Sequence, residues 1–152
     1  MKSLTEVINE GLFDRLKNKY KKPYIIIEWD NADDSGTGRG LRAIQLEIKE
    51  NCDEIVRNVL KKYGVSYNER ETYHSISTMK QIQYLFNINV DVAEYEAMCA
   101  EMYESISKMV YKQYRNDAHI EVETEFEEWT IWIPYTKNST DGHCVNFYIG
   151  RD

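Results

Sequence analysis

A stripe of apolar residues at helical spacing opens the chain. It is formed by Leu4, Val7, Ile8, Leu12 and Leu16. Ser3 and Glu6 have the spacing of a capping box, in which the two side chains satisfy backbone donors at a helix start. Pro23 cannot continue a helix. We therefore predict an N-terminal amphipathic helix over residues 1–22.

A second helical stripe lies beyond the middle of the chain. Its apolar members are Tyr95, Met98, Met102, Ile106, Met109 and Val110. Asp91 and Glu94 offer a capping box in front of it. The pattern predicts a long amphipathic helix that ends near Tyr114.

Strand-like alternation marks the first and last thirds of the chain. Residues 24–29 are β-branched and aromatic, which predicts a strand. Three more strands are predicted in the last third, near residues 120–126, near residues 129–135 and around residues 145–149. We place a turn or bulge at Glu127–Glu128, where the alternation breaks. Pro134 suits an edge strand or a strand end, because it has no N–H to donate.

The region between these strands is less regular. The apolar residues of 41–48 fit both the helical and the strand repeat. We interpret this stretch as a strand ending near Lys49, because Asn51 and Glu54 offer a capping box for a helix that starts after it. The helix that follows ends at Gly64. Residues 65–77 are predicted to be irregular, and residues 78–86 to form a short helix.

These elements define an α+β fold in the order α-β-β-α-(α)-α-β-β-β. We expect about five strands in a largely antiparallel sheet, packed by helices on one face. The chain has 152 residues, two prolines and seven glycines, which suits one domain without long linkers. The N-terminal helix over residues 1–22 is therefore expected to precede a single α+β domain over residues 23–152.

Charge is unevenly distributed along the chain. The formal net charge is −7, which argues against a general nucleic-acid binder. A basic cluster nevertheless follows the N-terminal stripe and comprises Arg15, Lys17, Lys19, Lys21 and Lys22. It is suited to non-specific contact with DNA phosphates. A solvated surface explains the same residues.

One predicted strand carries an acidic face in the last third of the chain. This face consists of Glu121, Glu123, Glu125 and Glu127. Repulsion among these carboxylates requires water or a basic partner beside them. Trp132 has the opposite strand phase to Trp129, so an inward Trp129 would make Trp132 a contact aromatic on the surface.

Candidate catalytic and metal-binding groups are few. The loop at residues 33–40 combines glycines with Asp33, Asp34 and Arg39, but it matches no phosphate-binding motif. The spacing of acids from Asp30 does not fit an EF-hand either. Three cysteines without a close pair indicate reduced thiols. We expect no catalytic residue, no metal site and no cofactor.

His143 and Cys144 are sequence neighbours, and so are a further candidate pair. Neighbours on a strand point to opposite faces, which argues against a shared catalytic site. No stretch is long and apolar enough to cross a membrane, and no secretory signal opens the chain.

The first ten residues carry the strongest functional signal. Met1 to Glu10, followed by Gly11, resembles the short targeting peptides of internal head proteins in large tailed bacteriophages. Those peptides begin with Met-Lys and continue to a Glu, an apolar residue, Ile-x-Glu and a small residue. The matching positions here are Lys2, Glu6, Ile8, Glu10 and Gly11.

The resemblance implies a cleavable peptide. The head-maturation protease of these phages would recognise Ile8 and Glu10 and cut the Glu10–Gly11 bond. Leu4, together with Val7 and Ile8, would dock on scaffold helices during head assembly. The resemblance covers residues 1–10 only.

We therefore expect a non-enzymatic protein of the phage head that acts by protein contact. Its partner would be the head scaffold or a host factor, and its location the bacterial cytoplasm or the virion interior. Two alternatives remain open. One is a small cytosolic binding module unrelated to phage, and the other is a small hydrolase or nucleotide-binding enzyme that uses the glycine-rich loop.

Overall fold

Two helices and eight strands are present in the computed structural model of the protein, which describes residues 18–30, 40–73, 79–124, 128–137, 139 and 141–151. The elements in chain order are β1 (Lys19–Tyr20), β2 (Tyr24–Asp30), α1 (Leu41–Lys62), β3 (Tyr67–Tyr73), β4 (Met79–Phe86), β5 (Val90–Asp91), α2 (Val92–Tyr114), β6 (His119–Thr124), β7 (Glu128–Pro134) and β8 (Gly142–Gly150). Strands β1 and β5 form a small sheet of their own.

The other six strands form one antiparallel sheet in the order β3-β4-β2-β8-β7-β6. Its two middle strands come from opposite ends of the described chain, with Tyr24 paired to Gly150 and Trp29 paired to Val145. Tyr95 on α2 links the two strands at one end, since the single proton of its hydroxyl is shared between the Tyr24 carbonyl at 2.9 Å and the Gly150 carbonyl at 3.0 Å.

The core lies between one face of the sheet and the two helices, which also pack against each other. Alternate residues of the strands are buried there, among them Ile25, Ile27, Trp29, Ile82, Tyr84, Trp129, Ile131, Val145 and Phe147. The α+β class, the antiparallel sheet and the helices on one face are therefore confirmed, with six strands in the main sheet where about five were expected. The strand at residues 24–29, the helix ending near Tyr114 and the three C-terminal strands are confirmed as well.

The strand predicted to end near Lys49 is wrong, because α1 is one continuous helix from Leu41 to Lys62. Its buried face includes Gln45, whose amide donates to the Asp30 carbonyl at 3.1 Å and to the Cys144 carbonyl at 2.9 Å. Gly64 ends the helix as predicted. Its φ of 68° lets the Val65 N–H reach the Leu60 carbonyl at 2.9 Å.

The predictions for residues 65–86 are also wrong. Strand β3 occupies most of the stretch predicted to be irregular, and β4 replaces the predicted short helix. In β4, Ile82, Tyr84 and Phe86 alternate towards the core, which is strand periodicity. Strand β3 is largely exposed at the sheet edge and therefore lacks an alternating apolar pattern.

The prediction of a helix over residues 1–22 is wrong at its C-terminal end. Residues 1–17 lie outside the described part of the chain, and Lys19–Tyr20 is a strand that pairs with Val90–Asp91.

At the start of α2, Asp91 occupies the N-cap position without a side-chain cap hydrogen bond, unlike the predicted capping box. The pairing of β6 with β7 shifts register between Val122 and Thr124, before the predicted break at Glu127–Glu128. Pro134 ends β7, as expected for a proline.

Candidate functional site

The candidate site is the sheet face that points away from α1 and α2, which we call the open face. Cross-strand pairing places its side chains on one side, because Ile26 lies opposite Gln83 and Tyr148, and Tyr148 lies opposite Glu128. The same register continues to β6. The open face on strands β4, β2, β8, β7 and β6 includes Gln81, Gln83, Tyr24, Ile26, Glu28, Asn146, Tyr148, Glu128, Thr130, Trp132, His119 and Glu121.

Glu28 lies near the middle of this face and is held by three neutral donors. The Gln81 amide donates to its Oε2 at 2.5 Å. The Tyr148 hydroxyl donates to its Oε1 at 3.2 Å, and the Asn146 amide donates to the same oxygen at 3.4 Å. These bonds fix the carboxylate without neutralising its charge.

The surroundings of Tyr148 are electrically negative. Burial, followed by the charges of Glu28 and Glu128, raises the pKa of its hydroxyl far above the ordinary value. A negative potential of this kind disfavours a phenolate and favours any cation that approaches. Arg70, on edge strand β3, faces the same side of the sheet opposite Gln83.

Trp132 lies on the open face, on the side of β7 opposite to the buried Trp129, as its strand phase predicts. It lines a cavity of about 320 Å³ together with His119, Glu121 and Pro134. The imidazole of His119 lies 3.2 Å from the Glu121 carboxylate. This cavity therefore combines an aromatic surface with a mostly exposed acid.

The predicted acidic face is described in part. The Glu121 side chain is exposed, Glu123 lies in β6, and Glu125 and Glu127 fall outside the described residues. The sheet places Glu121 on the same face as Glu28 and Glu128. Negative charge on the open face thus comes from three strands rather than from one.

Only part of the predicted basic cluster lies in the described chain. Lys19 belongs to β1, and Lys21 and Lys22 are exposed in the turn before β2. Arg15 and Lys17 are outside the described residues. The same is true of the predicted targeting and cleavage residues Leu4, Glu6, Ile8, Glu10 and Gly11.

His143 and Cys144 point to opposite faces of β8, as expected. The imidazole is fully buried, with its Nδ1 2.9 Å from the Asp30 carboxylate. Burial and the charge of Asp30 raise the pKa of the Cys144 thiol to about 11. The thiol is therefore protonated at neutral pH, so this pair lacks the geometry and the ionisation of a nucleophile.

The glycine-rich loop falls outside the described residues, apart from Gly40.

The sequence pattern missed the residues around Glu28. Residues 24–29 were recognised as a strand, but the partners of that strand are separated from it in sequence. The polar positions of β4 were hidden by the mistaken helix prediction. The alternation of Ile82, Tyr84 and Phe86 was the signal that could have placed Gln81 outward.

No known protein family and no curated protein matches this chain. Within the described ranges, no group of three or more His, Cys, Asp or Glu residues is arranged to hold a metal ion. No helix in this part of the chain is long and apolar enough to cross a membrane.

Proposed function

We propose that this protein acts by contact with another protein, and that the open face binds a partner with a basic surface. The observation that carries the proposal is the composition of that face. It carries aromatic rings, amides and three carboxylates on strands β4, β2, β8, β7 and β6, with the basic Arg70 at the β3 edge, while both described helices cover the opposite side of the sheet. Charge complementarity selects a partner that presents Lys or Arg.

Binding of a protein and preference for a basic one rest on different side chains. Tyr24, Tyr148 and Trp132 offer large amphipathic surfaces, which contribute strongly to protein interfaces. Glu28, Glu121 and Glu128 supply a charge that a basic surface neutralises and an acidic one does not. A non-enzymatic protein needs no further chemistry to act in this way.

We further propose that the protein is associated with a phage head. The N-terminal decapeptide supports this step, and a head scaffold would be the partner of that peptide. A host factor would then be the partner of the open face. The alternative, a cytosolic binding module unrelated to phage, shares the open face but requires no cleavage at Glu10.

The N-terminus provides a direct test of the phage proposal. Purified phage particles are expected to contain a chain beginning at Gly11, identified by mass spectrometry of the intact protein, and Glu10→Ala is expected to abolish this processing. The truncated chain is expected to fold cooperatively with a stability loss of about 1 kcal/mol or less, because a peptide that is removed after assembly cannot be required for the fold.

A longer truncation serves as the control. A chain beginning at Pro23 loses β1 and the hydrogen bond from the Tyr20 hydroxyl to Glu96, and should be clearly less stable in urea unfolding. Particles that contain only the intact chain beginning at Met1 would contradict the phage proposal. A chain beginning at Gly11 that fails to fold cooperatively would contradict it equally, because a removable peptide cannot be required for the fold.

Site-specific photocrosslinking tests the open face. A photoreactive phenylalanine at Gln83, on the open face, is expected to capture one protein in host cells, whereas the same group at the exposed Tyr111 of α2 is expected to capture none. Glu121→Lys together with Glu128→Lys should suppress the capture at Gln83. Crosslinking should also weaken as salt screens the exposed charges.

Glu94→Lys together with Glu104→Lys is the matched control, since it makes the same double charge change on the exposed side of α2. This variant should leave the crosslink unchanged, and the captured protein should carry a basic surface at the crosslinked segment. Capture through Tyr111 alone would contradict the proposal. An acidic surface at the crosslinked segment would do so too.

A further inference from the structure

A cavity of about 520 Å³ on the open face is lined in part by Glu28. Tyr24, Ile26 and Tyr148 contribute aromatic and aliphatic walls, and Gln81 and Glu128 contribute polar ones. The cavity thus combines a carboxylate with apolar surface. A long side chain that ends in a cation has the same two parts.

Glu28 carries a charge that the described fold leaves uncompensated. Among the described residues, no Lys or Arg forms an ion pair with it, and its three donors, Gln81, Asn146 and Tyr148, are neutral. The carboxylate is also partly buried. A partly buried charge without a counter-ion favours the binding of a cation.

The existing hydrogen bonds determine how a cation can approach. A carboxylate has about four acceptor positions, two on each oxygen. Oε1 already accepts from Asn146 and Tyr148, whereas Oε2 accepts from Gln81 alone. One direct position therefore remains, on Oε2.

We infer that this cavity receives the side chain of a single lysine from the partner protein, with its ammonium bound to Oε2 of Glu28. A guanidinium that binds a carboxylate through two parallel hydrogen bonds requires a position on each oxygen, and Oε1 of Glu28 has none left. An ammonium needs only one. The lysine stem lies along Ile26, and the rings of Tyr24 and Tyr148 are available for cation–π contact. The inference rests on the proposed function, because it names the partner group that one part of the open face recognises.

Titration with short peptides tests this inference on the full chain. The probes are three acetylated, amidated pentapeptides with two glycines on each side of a central lysine, arginine or norleucine. Chemical shifts of backbone amides report both the site and the affinity. The lysine peptide is expected to shift the amides of Glu28 and Tyr148, and to bind roughly tenfold more tightly than either other peptide, as expected for one charge-assisted hydrogen bond.

Two variants sharpen the test. Glu28→Gln keeps the shape of the side chain and removes its charge, so it should weaken lysine binding roughly tenfold, whereas Glu121→Gln makes the same change elsewhere on the open face and should not. Tyr148→Phe keeps the ring but frees a position on Oε1. It is expected to bring the arginine peptide close to the affinity of the lysine peptide, an effect that simple loss of structure does not produce.

Equal binding of the norleucine and lysine peptides would overturn the inference, and so would equal binding of the arginine and lysine peptides to the unaltered protein. Equal effects of Glu28→Gln and Glu121→Gln would overturn it as well. None of these results contradicts the proposed function if crosslinking through Gln83 still captures a basic partner. Failure of the crosslinking test, by contrast, would contradict the proposed basic partner. The peptide titration would still report whether the cavity binds a lysine side chain.

Discussion

Replacing Asp53 by alanine is expected to lower the free energy of unfolding by about 3–5 kcal/mol. Asp53 lies on the inward face of α1 and is fully buried. Its carboxylate lies 2.8 Å from the Lys49 ammonium and accepts a 2.6 Å hydrogen bond from the Tyr84 hydroxyl. The substitution leaves a largely buried ammonium, 4.5 Å from the Trp29 ring, without its main counter-ion. Urea unfolding followed by circular dichroism measures the loss.

The double variant with Lys49→Met and Asp53→Leu is the control. It removes both charges and fills their space with apolar groups, so most of the lost stability should return. A double variant as unstable as Asp53→Ala would show that packing, rather than the unpaired charge, accounts for the loss.

The pH dependence gives a second measurement of the same pair. Burial alone would lower the pKa of Lys49, but hydrogen bonds and charge attraction from Asp53 and Glu50 outweigh it, so the pKa is raised above 10.5. The contribution of the Lys49–Asp53 pair to stability is present below pH 10.5 and is lost as the pH rises through the pKa of Lys49 in the folded state. The difference between the unaltered protein and Asp53→Ala should therefore narrow in strongly alkaline solution.

Truncation of the two tryptophans of β7 is expected to affect different properties, stability for Trp129 and partner binding for Trp132. Trp129→Ala should lower the free energy of unfolding by about 3–5 kcal/mol, because the Trp129 ring is fully buried. Its centroid lies 4.3 Å from that of the stacked Phe147 ring and 5.0 Å from that of the Tyr103 ring. Trp132→Ala should lower it by about 1 kcal/mol. It should instead weaken crosslinking from the open face, where large aromatic side chains dominate binding.

Trp129→Phe is the control for the core position. It keeps an aromatic ring and removes an indole N–H that has no hydrogen-bond partner among the described residues. The loss of stability should be clearly smaller than for alanine. Similar losses for Trp129→Ala and Trp132→Ala would mean that the assigned faces of β7 are wrong.

Sequence periodicity predicted those helices and strands that have one buried face and one face exposed to solvent. The C-terminal strands and α2 meet this condition, and both were found. Residues 41–48 contain both periods, and the choice between them depends on tertiary contacts. In the helix, Gln45 is buried because its amide reaches the Asp30 and Cys144 carbonyls, a contact that local sequence does not encode. Leu46, which a strand would place on the same face as Ile44 and Ile48, is 38% exposed.

The candidate site was less predictable because it depends on which strands are neighbours. Trp132 could be assigned to the open face from its phase relative to Trp129. The partners of Glu28 lie on β4 and β8, more than 50 and more than 115 residues further along the chain. Only the pairing of these strands brings them together, and the prediction for one of them was a helix. An acidic residue in a strand therefore gave no indication of its own hydrogen bonds.

The central position of β8 has a consequence for how the protein is made. Strand β2 leaves the ribosome well before one of its two partners, β8, which follows five further strands and both described helices. Until then β2 pairs only with β4, and the hairpin of β6 and β7 has no strand to join it to the rest. Closing the sheet requires contacts between distant segments, which form slowly. The nascent chain thus carries unpaired strand edges until β8 has left the ribosome, and such edges favour association with other chains during that interval.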